Sequence, residues 1–284
     1  MYSETERGML SMKKTRLIIV IGLLCLLFIS ISGCSSNPTT QKYADNPVAQ
    51  RETLIQISTI DALLSGVYDG VMDFGTLKGY GDFGIGTFEG LDGEMLGFDG
   101  SFYQVRADGI AYAVPDSMET PFASITFFEI DSTHDLPEGI DYEQLQDFLN
   151  GVLPTGNIFY TIKIEGVFSY MKTRSVPAQE KPYPPLAEVT QNQPTFEFND
   201  VEGTIVGFRC PAYVAGVNVP GYHLHFLTKN RDSGGHVLEF QIAEAVASVD
   251  YTSEFLMILP GADSDFYEVD LTQDKQEELE KVEK

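Results

Sequence analysis

The sequence predicts an α+β fold: β-rich, two packed lobes of mixed or antiparallel sheet, with few helices. From Val67 onward, short stretches rich in Phe, Tyr, Val and Ile alternate with Gly, Asp and Pro, the texture of many short strands joined by tight turns. Helical periodicity is confined to a few short stretches. A Pro-rich segment, 176–185, follows one set of strands and precedes another, which sets a break near Glu165 and divides the body into two lobes.

Taken from the amino terminus, residues 1–33 read as a lipoprotein signal peptide. Lys13, Lys14 and Arg16 form a basic n-region, and the apolar run 17–31 is too short to span a bilayer comfortably. The run ends in Ile31-Ser32-Gly33-Cys34, which resembles a lipobox, where small residues admit a signal peptidase and the cysteine thiol takes the lipid. A plain secretory signal with a chance cysteine is the alternative. On the lipobox reading the mature chain begins at Cys34, exported and lipid-anchored to the outer face of the cytoplasmic membrane. Residues 34–51, rich in Ser, Asn, Thr, Pro and Gln, form a flexible tether.

The first lobe spans 52–165. Within it, Leu54, Ile57, Ile60, Leu63 and Leu64 fall at helical spacing ahead of Gly66, which predicts a short amphipathic helix over 53–64. Strands are expected at 101–106, 124–129 and 158–163, and a second helix at 142–151. The second lobe, 166–269, carries strands at 201–208, 222–228 and 236–242. Residues 270–284 are charged, with Leu279 and Val282 the only apolar residues after Leu271, so composition alone makes them a frayed tail.

The formal net charge of −24 argues against a nucleic-acid partner, which needs a basic stripe that this chain lacks. Acidity otherwise bears on solubility. Of the three cysteines, Cys25 leaves with the signal and Cys34 is acylated, so Cys210 stands alone and the mature chain holds together by packing.

Three of the four histidines, His223, His225 and His236, fall within fourteen residues. Tyr222-His223-Leu224-His225-Phe226 alternates as a strand does, so His223 and His225 project from one face and Leu224 and Phe226 from the other. The polar, glycine-rich stretch 229–235 reads as a hairpin loop, after which His236 opens a returning strand. A His-x-His pair alone is more often structural than metal-binding. A third histidine across a hairpin turns the balance, because three neutral imidazoles with one open position make a catalytic zinc site. Taken residue by residue, Glu94 belongs to an acidic glycine-rich turn and Arg174 to an exposed surface.

Further motifs surround these residues. Gly84-Ile85-Gly86-Thr87 is followed by Leu91-Asp92-Gly93-Glu94-Met95, then Arg174-Ser175-Val176-Pro177 with Pro182-Tyr183-Pro184, then Val219-Pro220-Gly221-Tyr222-His223-Leu224-His225-Phe226 and Ser233-Gly234-Gly235-His236-Val237-Leu238. In this order, over 56–272, the blocks together resemble the alpha-acetolactate decarboxylase family. The resemblance implies decarboxylation of 2-acetolactate to acetoin and carbon dioxide in the butanediol and acetoin pathway, on one Zn2+ per subunit and without an organic cofactor. It implies a two-lobed, β-rich subunit that forms a homodimer. Carried onto this chain, the metal ligands are His223, His225 and His236, the active-site glutamate and arginine are Glu94 and Arg174, and Thr87 is the substrate-pocket threonine. The family's tail glutamate corresponds to Glu283, with Glu280 the next candidate.

Two other readings compete. A cupin-like metalloenzyme also pairs histidines on strands, but Lys229 and Asn230 stand where its glutamate belongs. A non-catalytic metal- or solute-binding lipoprotein fits the anchor and the histidines, and leaves Glu94 and Arg174 unexplained.

Overall fold

The computed structural model describes residues 52–283. The segments read as a signal peptide and a tether, with Cys34, lie outside the described residues. In chain order the strands are β1 Thr53–Ile57, β2 Met72–Asp73, β3 Phe83–Thr87, β4 Glu94–Phe98, β5 Ser101–Val105, β6 Ala111–Ala113 and β7 Glu119–Thr120. They continue as β8 Ala123–Thr126, β9 Ser132–Leu136, β10 Phe159–Arg174, β11 Thr195–Cys210, β12 Gly221–Thr228, β13 Gly234–Thr252 and β14 Glu254–Ile258. The helices are α1 Ile60–Leu64, α2 Phe74–Leu77, α3 Tyr142–Val152, α4 Leu186–Val189 and α5 Gln276–Val282.

The expected β-rich α+β class is what the chain adopts, in two main sheets. A seven-stranded sheet has the order β14-β1-β8-β3-β4-β5-β6 and is mixed, since β1 runs parallel to β14 and antiparallel to β8. A five-stranded antiparallel sheet has the order β10-β11-β12-β13-β9, and β10 pairs with β13 as well as with β11, so β10 to β13 close into a ring. The break expected at Glu165 falls inside β10, whose pairing with β11 and β13 continues on both sides of that residue. Sheets and sequence halves therefore divide differently: β9 joins the second sheet, and β14 returns to the edge of the first.

Residues 53–64 do not form one helix. Thr53-Leu54-Ile55-Gln56-Ile57 is a strand buried on both faces between β8 and β14, which suits its β-branched residues. Thr59 then caps α1, its Oγ1 accepting the Ala62 N–H at 3.3 Å. Leu54 and Ile57 match helical spacing because a doubly buried strand is apolar at every position. The helix expected at 142–151 is α3, which opens on a capping box between Asp141 and Gln144 and buries Leu145 and Leu149. The strands of the second sheet are longer than their turn-rich sequence suggests: β10 and β11 have 16 residues each and β13 has 19.

Four apolar cores follow from the layering. One fills the five-stranded sheet's inner face beneath α3 and includes Leu224, Phe226, Ile162 and Ile205. A second lies between the sheets, joining Ile85, Leu96 and Val105 to Val206, Phe208 and Leu227. A third covers the outer face of the seven-stranded sheet around Phe74, Phe88 and Met95. The fourth is helical and holds Leu63, Leu186, Val189, Leu279 and Val282. Fully burying one such side chain contributes about 1.5–3 kcal/mol. The carboxy-terminal residues are thus not a frayed tail: α5 forms because Leu279 and Val282, three apart, share one buried face.

Asp250 on β13 is 2 % exposed, and its Oδ2 accepts the Glu129 N–H at 3.2 Å. Burial, then the nearby Asp131, Glu52 and Asp82, push its carboxyl up to about 8. In the unfolded chain the group titrates near 4, so between about pH 4 and pH 8 the folded state holds a proton that unfolding releases. Its contribution to stability is full below that window and is lost as the pH rises through it. Asp250→Asn should flatten the fall in melting temperature between pH 5 and pH 8 and raise it at pH 8 by about 2 °C or more, as measured by thermal unfolding. An unchanged pH dependence would show that Asp250 does not set it.

Candidate metal centre

His223 and His225 stand on one face of β12, and His236 lies directly across from His225 in the β12–β13 ladder. The hairpin register therefore converges the three rings: one nitrogen of each lies within 4.8 Å of the others. All three imidazoles are buried. Burial, with the Arg174 guanidinium beside it, lowers His223 to about 3. His225 and His236 are lowered well below the usual imidazole range, by burial first. All three are neutral at neutral pH and keep a lone pair.

The tautomer of His225 follows from its partner. Its Nδ1–H donates to the Met95 carbonyl at 2.9 Å, which leaves the Nε2 lone pair facing His223 Nε2 at 3.2 Å. Met95 is on β4, so a main-chain atom of the other sheet orients a ring of this one.

Glu94 is the first residue of β4, opposite Thr87 of β3 and Val105 of β5. The turn before it is held at two carbonyls. Thr87 Oγ1 donates to Gly93 O at 2.7 Å, and Gln104 Nε2 to Asp92 O at 2.5 Å. Gly93 has φ +89°, and a Cβ there would run into the Val105 carbonyl, so the turn requires glycine. The Glu94 side chain lies 3.6 Å from His225 Nε2 and accepts from Arg174 Nη1 at 3.0 Å.

Arg174 ends β10 and is paired with His236 across the β10–β13 ladder, so it shares the histidines' face. It is buried, not a surface arginine. Its Nη2 donates to the Val282 carbonyl at 3.0 Å, and its Nε is buried with no hydrogen-bond partner among the described residues. Beyond Val282, the Glu283 carboxylate lies 3.9 Å from His223 Nε2 and 3.8 Å from His236 Nε2. Glu280, one turn back, is exposed and accepts from Gln276 at 3.2 Å. Burial pushes both Glu94 and Glu283 up to about 7 against the lowering pull of Arg174, and Glu283 adds to the rise on Glu94.

These residues open on a cavity of about 400 Å³, mouth included, whose lining contains Thr87, Glu94, Arg174, His223, His236 and Glu283. Its other wall is apolar, formed by Ile60, Leu63, Leu91, Phe122, Leu186 and Val282 among others. Sequence reasoning did not single out this wall as part of the site. Its members come from separate segments and no local pattern links them. The Met95 carbonyl was equally invisible, being a main-chain atom.

One pair of the three nitrogens has the separation that a tetrahedral zinc requires. Two nitrogens about 2.05 Å from such an ion stand about 3.3 Å apart, close to the 3.2 Å between His223 and His225 Nε2. The neutral rings, the buried setting and the cavity on the fourth side suit a site that keeps one position open to a ligand.

A family model described as alpha-acetolactate decarboxylase matches residues 54–273. The alpha-acetolactate decarboxylase of Methanosarcina mazei is 57% identical over 233 residues, 82% of this chain and 81% of that protein. That of Bacillus subtilis (strain 168) is 44% identical over 227 residues, 80% of this chain and 88% of that protein. The crystal structure of alpha-acetolactate decarboxylase from Bacillus subtilis strain 168 superposes with a TM-score of 0.79 at 43% identity, covering 81% of this chain and 99% of that one.

Proposed function

We propose, given that the chain belongs to the alpha-acetolactate decarboxylase family, that it releases carbon dioxide from 2-acetolactate at a zinc ion held by His223, His225 and His236, as a step of acetoin and butanediol formation. The convergence of three neutral imidazoles, two of which line one cavity together with Arg174, carries this reading. His223, His225 and His236 would hold a zinc ion there, which would supply a Lewis acid for the ketone and hydroxyl oxygens of the substrate.

The remaining work falls to the chain's own residues. Arg174 has an unpartnered Nε–H, a donor for the carboxylate that departs. Because its Nη1 and Nη2 already hold Glu94 and Val282 O, it reaches the substrate with its orientation set beforehand. The apolar wall takes the substrate's two methyl groups and keeps water from the carbanion carbon. That carbon needs a proton delivered from one side, and Glu94 and Glu283 are the two carboxyl groups beside the histidines. Thr87, with its hydroxyl donating to Gly93 O, lines the cavity and steadies the turn before Glu94.

The protein is also exported, with a lipid on Cys34 as its anchor. Support comes from the basic n-region, the short apolar run and the lipobox-like Ile31-Ser32-Gly33-Cys34. Among the described residues no helix is long and apolar enough to cross a membrane. Association as a homodimer is the further expectation that family membership supports.

Purified protein given 2-acetolactate should form acetoin, lose that activity on chelation and regain it with zinc. His223→Ala, His225→Ala and His236→Ala should each bind less than about a tenth of a zinc per chain while remaining folded, since two ligands seldom retain the metal. Metal analysis decides it: full zinc in any one variant removes that residue from the site.

Arg174→Lys should keep zinc and lose about a hundredfold in kcat, because a point charge cannot hold Glu94 and Val282 O and still present a donor to the substrate. Glu94→Gln should keep zinc and fall by about a hundredfold or more if it moves the proton. Steady-state acetoin formation reads both, and wild-type kcat in either variant removes that role.

Cys34→Ser should release the exported protein from membranes, since each buried acyl methylene contributes about 0.8 kcal/mol to holding it there. A serine variant that still sediments with membranes would sink the lipid reading.

A further inference from the structure

α5 is a seven-residue helix, shorter than the length at which an isolated helix is stable in water. It is reached through residues 259–275, which contain no strand and only a 3-10 turn at Asp265–Tyr267. It packs on α4, itself only four residues long. Leu279 and Val282 are buried in the helical core with Leu63, Leu186 and Val189. Val282 also lines the cavity and Leu279 does not. Three features of the site depend on this seating: the Val282 carbonyl that takes Arg174 Nη2, the Val282 part of the apolar wall, and the Glu283 carboxylate near His223 and His236.

We propose that Leu279 is a positioning residue for the decarboxylation: its burial seats α5, and the seated helix delivers Glu283 to the histidines and the Val282 carbonyl to Arg174. Leu279 touches no reacting group. It acts through the helix, much as Met95 acts through His225. The catalytic set is complete only in the docked state, and the docked state depends on an apolar contact outside the cavity. This rests on the reading that Glu283 acts in the site.

The test uses the full exported chain loaded with zinc, and compares Leu279→Ala, Leu279→Met, Glu283→Gln and the Leu279→Ala/Glu283→Gln pair. Leu279→Ala should lower kcat for acetoin formation by about tenfold or more, with zinc content unchanged, the main thermal transition lowered by only several degrees, and faster amide exchange over 276–283. Leu279→Met, which refills the space, should return kcat to within about threefold of wild type. Because Leu279 works partly through the tail glutamate, the double variant should lose clearly less than the product of the two single losses, the remainder being the share carried by the Val282 carbonyl and wall.

Full kcat in Leu279→Ala despite a freely exchanging helix would overturn the proposal. So would a helix that stays protected without Leu279, losses that multiply in the double variant, or loss of zinc in Leu279→Ala. Wild-type kcat in Glu283→Gln alone would instead sink the reading of Glu283, and it is seen before any Leu279 variant is interpreted.

Discussion

His236 is paired on both sides, with His225 across the short β12–β13 ladder and with Arg174 across the long β10–β13 ladder. Paired residues of antiparallel strands share a face, so two imidazoles and one guanidinium form a row across three strands. A slip of one residue would turn His236 to the opposite face and dissolve the cluster. Side chains hold the row in place: Thr173 Oγ1 donates to Gly234 O at 2.7 Å, and Ser175 Oγ donates to Val105 O at 2.7 Å, tying the end of β10 to β13 and to the other sheet. All of these groups are buried, which makes the register expensive to change.

The second requirement is the distance between the sheets. The histidines belong to the five-stranded sheet and Glu94 to the seven-stranded one, so the core that joins Leu96 and Val105 to Val206 and Phe208 sets how far Glu94 stands from His225. The Met95 carbonyl crosses the same gap to His225 Nδ1. Arg174 carries the charge of this junction. Its pair with Glu94 is almost wholly buried, and removing either partner leaves an uncompensated charge in a low-dielectric cavity. Packing between sheets and chemistry within the site are thus one problem.

Much of the histidine cluster is written locally. His223 and His225 alternate with Leu224 and Phe226, and those two do lie in the opposite core, because period-two alternation survives whatever the rest of the chain does. The hairpin loop before His236 was equally plain. Other parts were hidden for physical reasons. Leu54 and Ile57 imitate a helix because β1 is buried on both faces, and only the neighbouring strands create that second face. Glycines that read as turns lie inside long strands. At Gly166 a Cβ would strike the Glu244 carbonyl of β13, so the residue marks close approach within the ring and not a chain reversal. Arg174 is indistinguishable from a surface arginine until the ladder opposite it is known.

The carboxy-terminal residues were misread by composition for a related reason, and their physics differs from that of the histidines. The three imidazoles ride on strands whose backbone hydrogen bonds are satisfied by neighbours on both sides, so their geometry exists before any ligand arrives. Glu283 rides on a helix that has too few residues to form alone and owes its order to two apolar side chains. A window of charged residues with two isolated apolar positions carries no signal strong enough to predict that, because the stabilising surface is supplied by α1, α4 and the Pro-rich loop. One part of the cavity is therefore built on paired strands and the other on a short helix seated by two apolar side chains. That division suits a site that must hold a fixed set of donors yet still admit and release a small molecule past an apolar wall.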